Sequence, residues 1–294
     1  MFEGYLTWYT TRYQRKRGRP PAESTMRTKR HYLATVARVT GLADEVSLGT
    51  SLSERSTVEH LLDMLAAHLS PGALRQAFYV LQSYGEYARL KGWGEPQLRK
   101  DDAPGGGGDK PIVVYSKAEV DLLVNCARPN LRWWAFLSFL AETGRRVGEA
   151  LSLRWDQLRL DADVPYFELP STKNGDPQYI PLTSFLKESV FTAENIAKMK
   201  ATNRAGRNGF HRDPTEWVFP WTYSTVHAMF GRHCERLGVT NRGFHNFRHT
   251  VITNRIASGI PIQAVAALAG HRTPAITLRR YNHANALDYV RYVN

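Results

Sequence analysis

Residues 142–155 read ETGRRVGEALSLRW, and the interpretation of the whole chain turns on them. Thr143 and Gly144 interrupt one apolar helix, and a second is expected over 147–155 with Val147, Ala150 and Leu151 facing inward. Arg146 then stands at a helix start, three residues from Glu149 and able to meet it on one face. A helix N-terminus beside an oriented guanidinium makes a phosphate site, because unpaired N–H groups and a fixed cation act together. Met alone, the same pair is also what an ordinary surface salt bridge looks like.

Two segments further along carry the same kind of chemistry. In FHNFRHTVITNRIASG (244–259), His245 and Arg248 lie three apart and so share a helix face. His249 is four residues from His245, a spacing that metal pairs use. No HExxH pattern accompanies it, so no metal is expected. In IPIQAVAALAGHRTPAITLRRYNH (260–283), Pro261 suits a helix start and Gly270 its end, which leaves His271 in a turn. Pro274 can open another short helix that ends near Arg279, Arg280 and Tyr281. Between these regions, 165–169 and 178–182 favour strands joined through STKNGDPQ, a hairpin with Lys173 near its tip.

Two arginines, a lysine and two histidines could surround a dianionic transition state while a phenol attacks. Phosphoryl transfer needs mainly positioning and charge stabilisation, which fixed cations supply without a cofactor.

The rest of the chain supplies context. Its 294 residues carry 39 Lys+Arg against 27 Asp+Glu, a net charge of +12 that suits a polyanionic partner. DDAPGGGGDKP (101–111) cannot hold a helix or strand and reads as a linker between two domains, 1–100 and 112–294. The excess charge lies mainly in the second. Apolar spacing at Leu61, Leu62, Leu65 and Leu69, and at Phe78, Leu81, Tyr84 and Tyr87, predicts a bundle of four or five helices in the first. Residues 11–30 hold eight basic groups and one acid, including Arg15, Lys16, Arg17 and Arg19. They read either as a solvated arm or as a DNA-backbone contact that releases counterions.

In the second domain, helices are expected at 117–126, 131–142, 184–200, 223–237, 245–258 and 262–269, so the whole is mainly α with a small antiparallel sheet. Cys126 and Cys234 stand far apart and are expected to be buried apolar residues. No transmembrane run is present, and the N-terminus reverses the order of a secretory signal, which implies an intracellular protein.

The order Arg146 in TGRRVGE, Lys173 in TKNG, His245-x-x-Arg248, Gly270-His271 and then Tyr281 resembles the tyrosine recombinase (phage integrase) family. The match spans about 142 to 283. The linker and the helical first domain are similar to the SAM-like core-binding domain that precedes the family's catalytic domain. The resemblance implies a site-specific DNA recombinase of phage or mobile-element type that works without a metal or other cofactor. It implies that Arg146 and Arg248 hold the scissile phosphate, His271 hydrogen-bonds it, and Lys173 protonates the departing 5′ oxygen. His245 would assist proton transfer, Glu149 would act from behind the site, and Tyr281 would form a 3′-phosphotyrosyl link.

The family places its tyrosine nine residues after the histidine; here the separation is ten, so a bulge or a longer helix is expected, with Tyr289 and Tyr292 as alternatives. The implied partners are double-stranded DNA, three further copies in a homo-tetramer, and an accessory directionality factor. The implied location is the bacterial cytoplasm, on the nucleoid. No further arm-binding domain is expected ahead of the first. The tail ALDYVRYVN is expected to dock on a neighbouring protomer through Leu287, Tyr289 and Val290. A type IB topoisomerase-like enzyme and a non-catalytic DNA-binding protein remain as alternatives.

Overall fold

The structure, a computed structural model, describes residues 2–105, 113–169, 177–201, 211–271 and 273–281, the side chains of 276 and 279–281 excepted. The chain divides into two compact units, Met1–Pro111 and Ile112–Asn294.

The first unit is built from five α-helices: α1 (Glu3–Arg17), α2 (Glu23–Thr40), α3 (Glu45–Ser51), α4 (Arg55–His68) and α5 (Pro71–Leu90). Their ends follow local chemistry. The Asp44 side chain accepts from Ser47 N at the start of α3, and Ser70 caps α5 immediately before Pro71. Gly18 and Gly41 take left-handed backbone angles after α1 and α2, which ends each helix. Of the residues picked out by apolar spacing, Leu61, Leu65, Phe78, Leu81, Tyr84 and Tyr87 are buried, whereas Leu62 and Leu69 are half-buried; Leu33, Val36 and Leu48 complete the core. Beneath α1, Lys29 Nζ donates to the Tyr5 hydroxyl at 2.7 Å and lies 3.9 Å from the centre of the Tyr9 ring. Burial pushes this lysine down to about 8.

The basic stretch 11–30 is not an arm. Arg15, Lys16 and Arg17 form the last turn of α1, where cations complement the helix dipole, and Arg19 follows in the short connection to α2.

The second unit holds α6 (Lys117–Asn125), α7 (Leu131–Thr143), α8 (Val147–Ala150), β1 (Leu158–Arg159), β2 (Tyr166–Leu169) and β3 (Gln178–Pro181). Then come α9 (Ala193–Ala201), α10 (Tyr223–Leu237), α11 (His245–Ala257), α12 (Ile262–Ala269) and α13 (Pro274–Tyr281). Helix α7, LRWWAFLSFLAET, is apolar nearly all round and is correspondingly the buried axis of the unit. Trp133, Phe136 and Phe139 meet Phe219, Trp221 and Phe244 across it. The sheet runs β1-β2-β3, all antiparallel, with Phe167 opposite Ile180.

Three expectations need correction here. The helix expected over 147–155 stops at Ala150, because the next residues pair with a distant segment: Val218 N donates to Leu153 O and Trp155 N to Glu216 O. The helix expected over 184–200 is two pieces. A π-helical turn covers Leu186–Val190, buried Phe191 breaks it, and Thr192 restarts the helix by accepting from Asn195 N. Cys126 is only half-buried, although Cys234 is buried and its thiol is pushed up to about 11. The two-residue strand β1 was not foreseen.

Candidate functional site

Arg146 occupies the N-cap of α8. The Glu149 carboxylate accepts from Arg146 N at 3.1 Å and from Arg146 Nη1 at 2.8 Å, so one acid fixes both the backbone and the guanidinium. Glu149 is largely buried, whereas the Arg146 side chain remains half exposed and open to an anion.

Arg248 is held differently. It lies on α11, is buried, and its Nη1 donates to Gly144 O at 3.0 Å and to Ala269 O at 2.5 Å. One guanidinium group therefore joins the end of α7, which leads into Arg146, to the end of α12, which leads into His271. Gly270 takes φ +67° after α12, and His271 N closes the turn on Ala266 O at 2.8 Å. His245, one helical turn before Arg248, is exposed at the start of α11 and edges against the ring of His249.

The electrostatics show that these groups share a site. Burial, then the charges of Arg248 and Arg146, push His271 down to about 4; Glu149 acts in the opposite direction and His245 in the same one. The ring is therefore neutral near pH 7, beside two arginines. Its Nδ1 lies 2.6 Å from Thr277 Oγ1. Tyr281 is the last residue of α13, which is α-helical from Pro274 to Tyr281. Lys173, Tyr289, Tyr292 and the tail residues Leu287 and Val290 lie outside the described residues, as does the Tyr281 side chain. The structure thus brings together Arg146, Glu149, His245, Arg248 and His271.

Three residues that sequence reasoning did not single out for the site support it. Arg145, the residue before Arg146, is almost wholly buried. It donates to Gln178 Oε1 at 2.8 Å and to Tyr179 O at 3.1 Å, both on β3, and lies 3.9 Å from Glu149. A Cβ at Gly270 would collide with its guanidinium. Arg255 donates from α11 to Glu142 O at 2.9 Å, so a second cation closes the end of α7. Thr277 is fully buried beside His271. No spacing rule in the sequence marks any of the three. Among the described residues, no group of three His, Cys, Asp or Glu could hold a metal ion, and no helix is long and apolar enough to cross a membrane.

Comparison with known proteins gives a consistent result. Residues 114–287 match the model of the phage integrase family. A shufflon-specific DNA recombinase of Escherichia coli is 30% identical over 162 residues, covering 55% of this chain and 37% of that protein. Tyrosine recombinase XerC of Bacillus licheniformis is 28% identical, over 51% of this chain and 49% of its own length. The chain thus spans about half or less of these relatives.

Among solved structures, the Tn1549 transposon integrase in complex with a circular intermediate DNA has a TM-score of 0.69 at 17% identity, covering 98% of both chains. A lambda integrase tetramer bound to a Holliday junction has a TM-score of 0.63 at 16% identity, covering 95% of this chain and 76% of that one. Both carry the same fold.

Proposed function

The chain belongs to the phage integrase family, and from that premise we propose that it is a site-specific DNA recombinase that cuts and rejoins DNA through a 3′-phosphotyrosyl intermediate. The observation that carries this reading is the convergence of Arg146, Arg248 and His271, with Arg248 joining the two chain segments that present the others. Three donors of that kind match a phosphodiester whose charge grows in the transition state.

The Tyr281 oxygen attacks phosphorus, the bond from phosphorus to the 5′ oxygen breaks, and a covalent 3′ link keeps the bond energy for religation. His245 assists removal of the phenolic proton, and Lys173 returns a proton to the departing 5′ oxygen. Glu149 holds Arg146 toward the phosphate. Double-stranded DNA is the substrate. The cations Arg15, Lys16, Arg17 and Arg19, at and just after the end of α1, neutralise its backbone. Four copies assemble on two DNA sites, the tail from residue 285 onward links neighbouring copies, and an accessory factor sets direction. The enzyme acts in the cytoplasm of the host of a mobile element.

The test is an SDS-resistant protein–DNA adduct formed in EDTA, on supercoiled plasmid and on nicked duplexes carrying the sequence that flanks the gene. The wild type is expected to form it and Tyr281→Phe to lose it. Persistence in Tyr281→Phe moves the nucleophile to Tyr289 or Tyr292. Tight, salt-sensitive binding of the flanking duplexes with no adduct points to a DNA-binding regulator. Relaxation of plasmid without recombinant products points to a topoisomerase.

A further inference from the structure

His271 has a partner that the scheme above does not use. Thr277, six residues further on and within α13, has no exposed surface, and its Oγ1 approaches His271 Nδ1 to 2.6 Å. The separation is a short hydrogen bond between a hydroxyl and a ring nitrogen. Threonines 35, 143 and 250, also in helices, turn their hydroxyls to the carbonyl four residues back. Thr277 turns its hydroxyl to the imidazole.

The consequence follows from counting protons. A neutral imidazole carries one N–H and one lone pair, and a hydrogen bond at either nitrogen decides which is which. The ring is neutral near pH 7, with Arg248 and His245 facing it from α11, Arg146 and Glu149 from the start of α8, and Arg145 packed beneath Gly270. If Nδ1 kept the proton, Nε2 would present a lone pair to a phosphate oxygen, and two acceptors would face each other. If Thr277 donates to Nδ1, Nε2 carries the hydrogen and becomes a donor. Only the second arrangement satisfies both ends of the ring in a phosphate complex.

We propose that Thr277 is a positioning residue that holds His271 as the Nε2–H tautomer, so that Nε2–H donates to the scissile phosphate. The choice of Nε2 as the protonated nitrogen and its bond to phosphate rest on the recombinase reading, because a hydroxyl can also accept from Nδ1–H; the His271–Thr277 contact itself stands on the geometry.

The two halves are tested separately. Full-length protein labelled with [15N]histidine is studied by long-range 1H–15N correlation near pH 7, with His271 assigned by His271→Gln. The wild type and Thr277→Ser are expected to show a protonated Nε2 and an unprotonated Nδ1. Thr277→Val, similar in shape but without the hydroxyl, is expected to show mixed tautomers. In single-turnover adduct formation on the nicked duplexes, Thr277→Val should fall about tenfold, the size of one hydrogen bond. Thr277→Ser should recover most of the rate, and DNA affinity should not change. A Thr277→Val spectrum identical to wild type overturns the proposal, whether or not the adduct rate falls, because any loss would then come from packing. A wild type with the expected tautomer and no adduct overturns the recombinase reading and leaves the tautomer lock standing.

Discussion

Replace Arg145 by leucine in one chain and Arg146 by leucine in another, and two different failures are expected from neighbouring residues of the same type. The Arg145 side chain is 1% exposed and donates two hydrogen bonds to β3. Hydrogen bonds from a charged donor contribute about 1.5–3 kcal/mol each. Burial opposes this gain: it lowers the affinity of Arg145 for its proton, and Nε has no partner among the described residues. Relief of that desolvation offsets on the order of 2 kcal/mol. The net loss for Arg145→Leu is then about 1–4 kcal/mol, or roughly 2–16 °C in the unfolding midpoint of a unit this size.

Arg146 is 49% exposed and makes one ion pair, worth about 0–1 kcal/mol. Its removal should leave the midpoint almost unchanged while slowing adduct formation by about a hundredfold or more, as loss of one transition-state donor does. Calorimetry of the full chain, which should resolve the two units, and single-turnover cleavage read the two quantities independently. The reasoning is refuted if Arg146→Leu destabilises as much as Arg145→Leu, or if both variants lose activity only in proportion to stability.

Further outcomes follow from other sites. Gly270→Ala must adopt φ +67° and push against the Arg145 guanidinium, so a loss of more than about 1–2 kcal/mol is expected. Part of it should be recovered in the Arg145→Leu background, and strict additivity in a double-mutant cycle would count against the contact. Lys29 titrates at about 8 in the folded chain against an ordinary 10.5, so the unfolded state binds more protons between those values. Stability of the first unit should therefore rise by about 2 kcal/mol from pH 8 to 9.5 and decline again as pH falls toward 8. The window stops there because burial raises Tyr5 and Tyr84, whose titration works in the opposite sense. Lys29→Met should be more stable at pH 7 and flat across the same range in urea denaturation; a slope that persists in it places the titration elsewhere.

What the sequence revealed was what it encodes locally. Helices α10 and α12 were read with both ends correct: Pro261 and Gly270 marked α12 in the sequence, and in the structure Thr222 and Gly238 cap α10 in the same way. The adjacent arginines Arg145 and Arg146 look alike in sequence, and the structure gives them opposite environments. The errors lie where partners are remote. Leu153 and Trp155 leave the helix to pair with 216–218, a contact across some sixty residues that no local pattern announces. Phe191 breaks the helix because the core takes its ring, and Thr192 caps the remainder. Thr277 was invisible for a related reason: its importance comes from a turn that folds His271 back on it.

The way Arg248 is anchored has a consequence for the proposed recombinase that goes beyond binding phosphate. Its guanidinium is shared between Gly144 O and Ala269 O, while Arg255 closes the same end of α7. If the end of α12 frays, Arg248 loses an acceptor and His271 moves with the turn; if the end of α7 frays, Arg146 moves instead. Either event takes from Arg248 one of the two carbonyls it joins, so the two ends are coupled through this one side chain. A half-formed site that could still cut but no longer rejoin would be an agent of chromosome breakage. On the proposed recombinase reading, sharing one buried cation between the two ends would keep that species scarce.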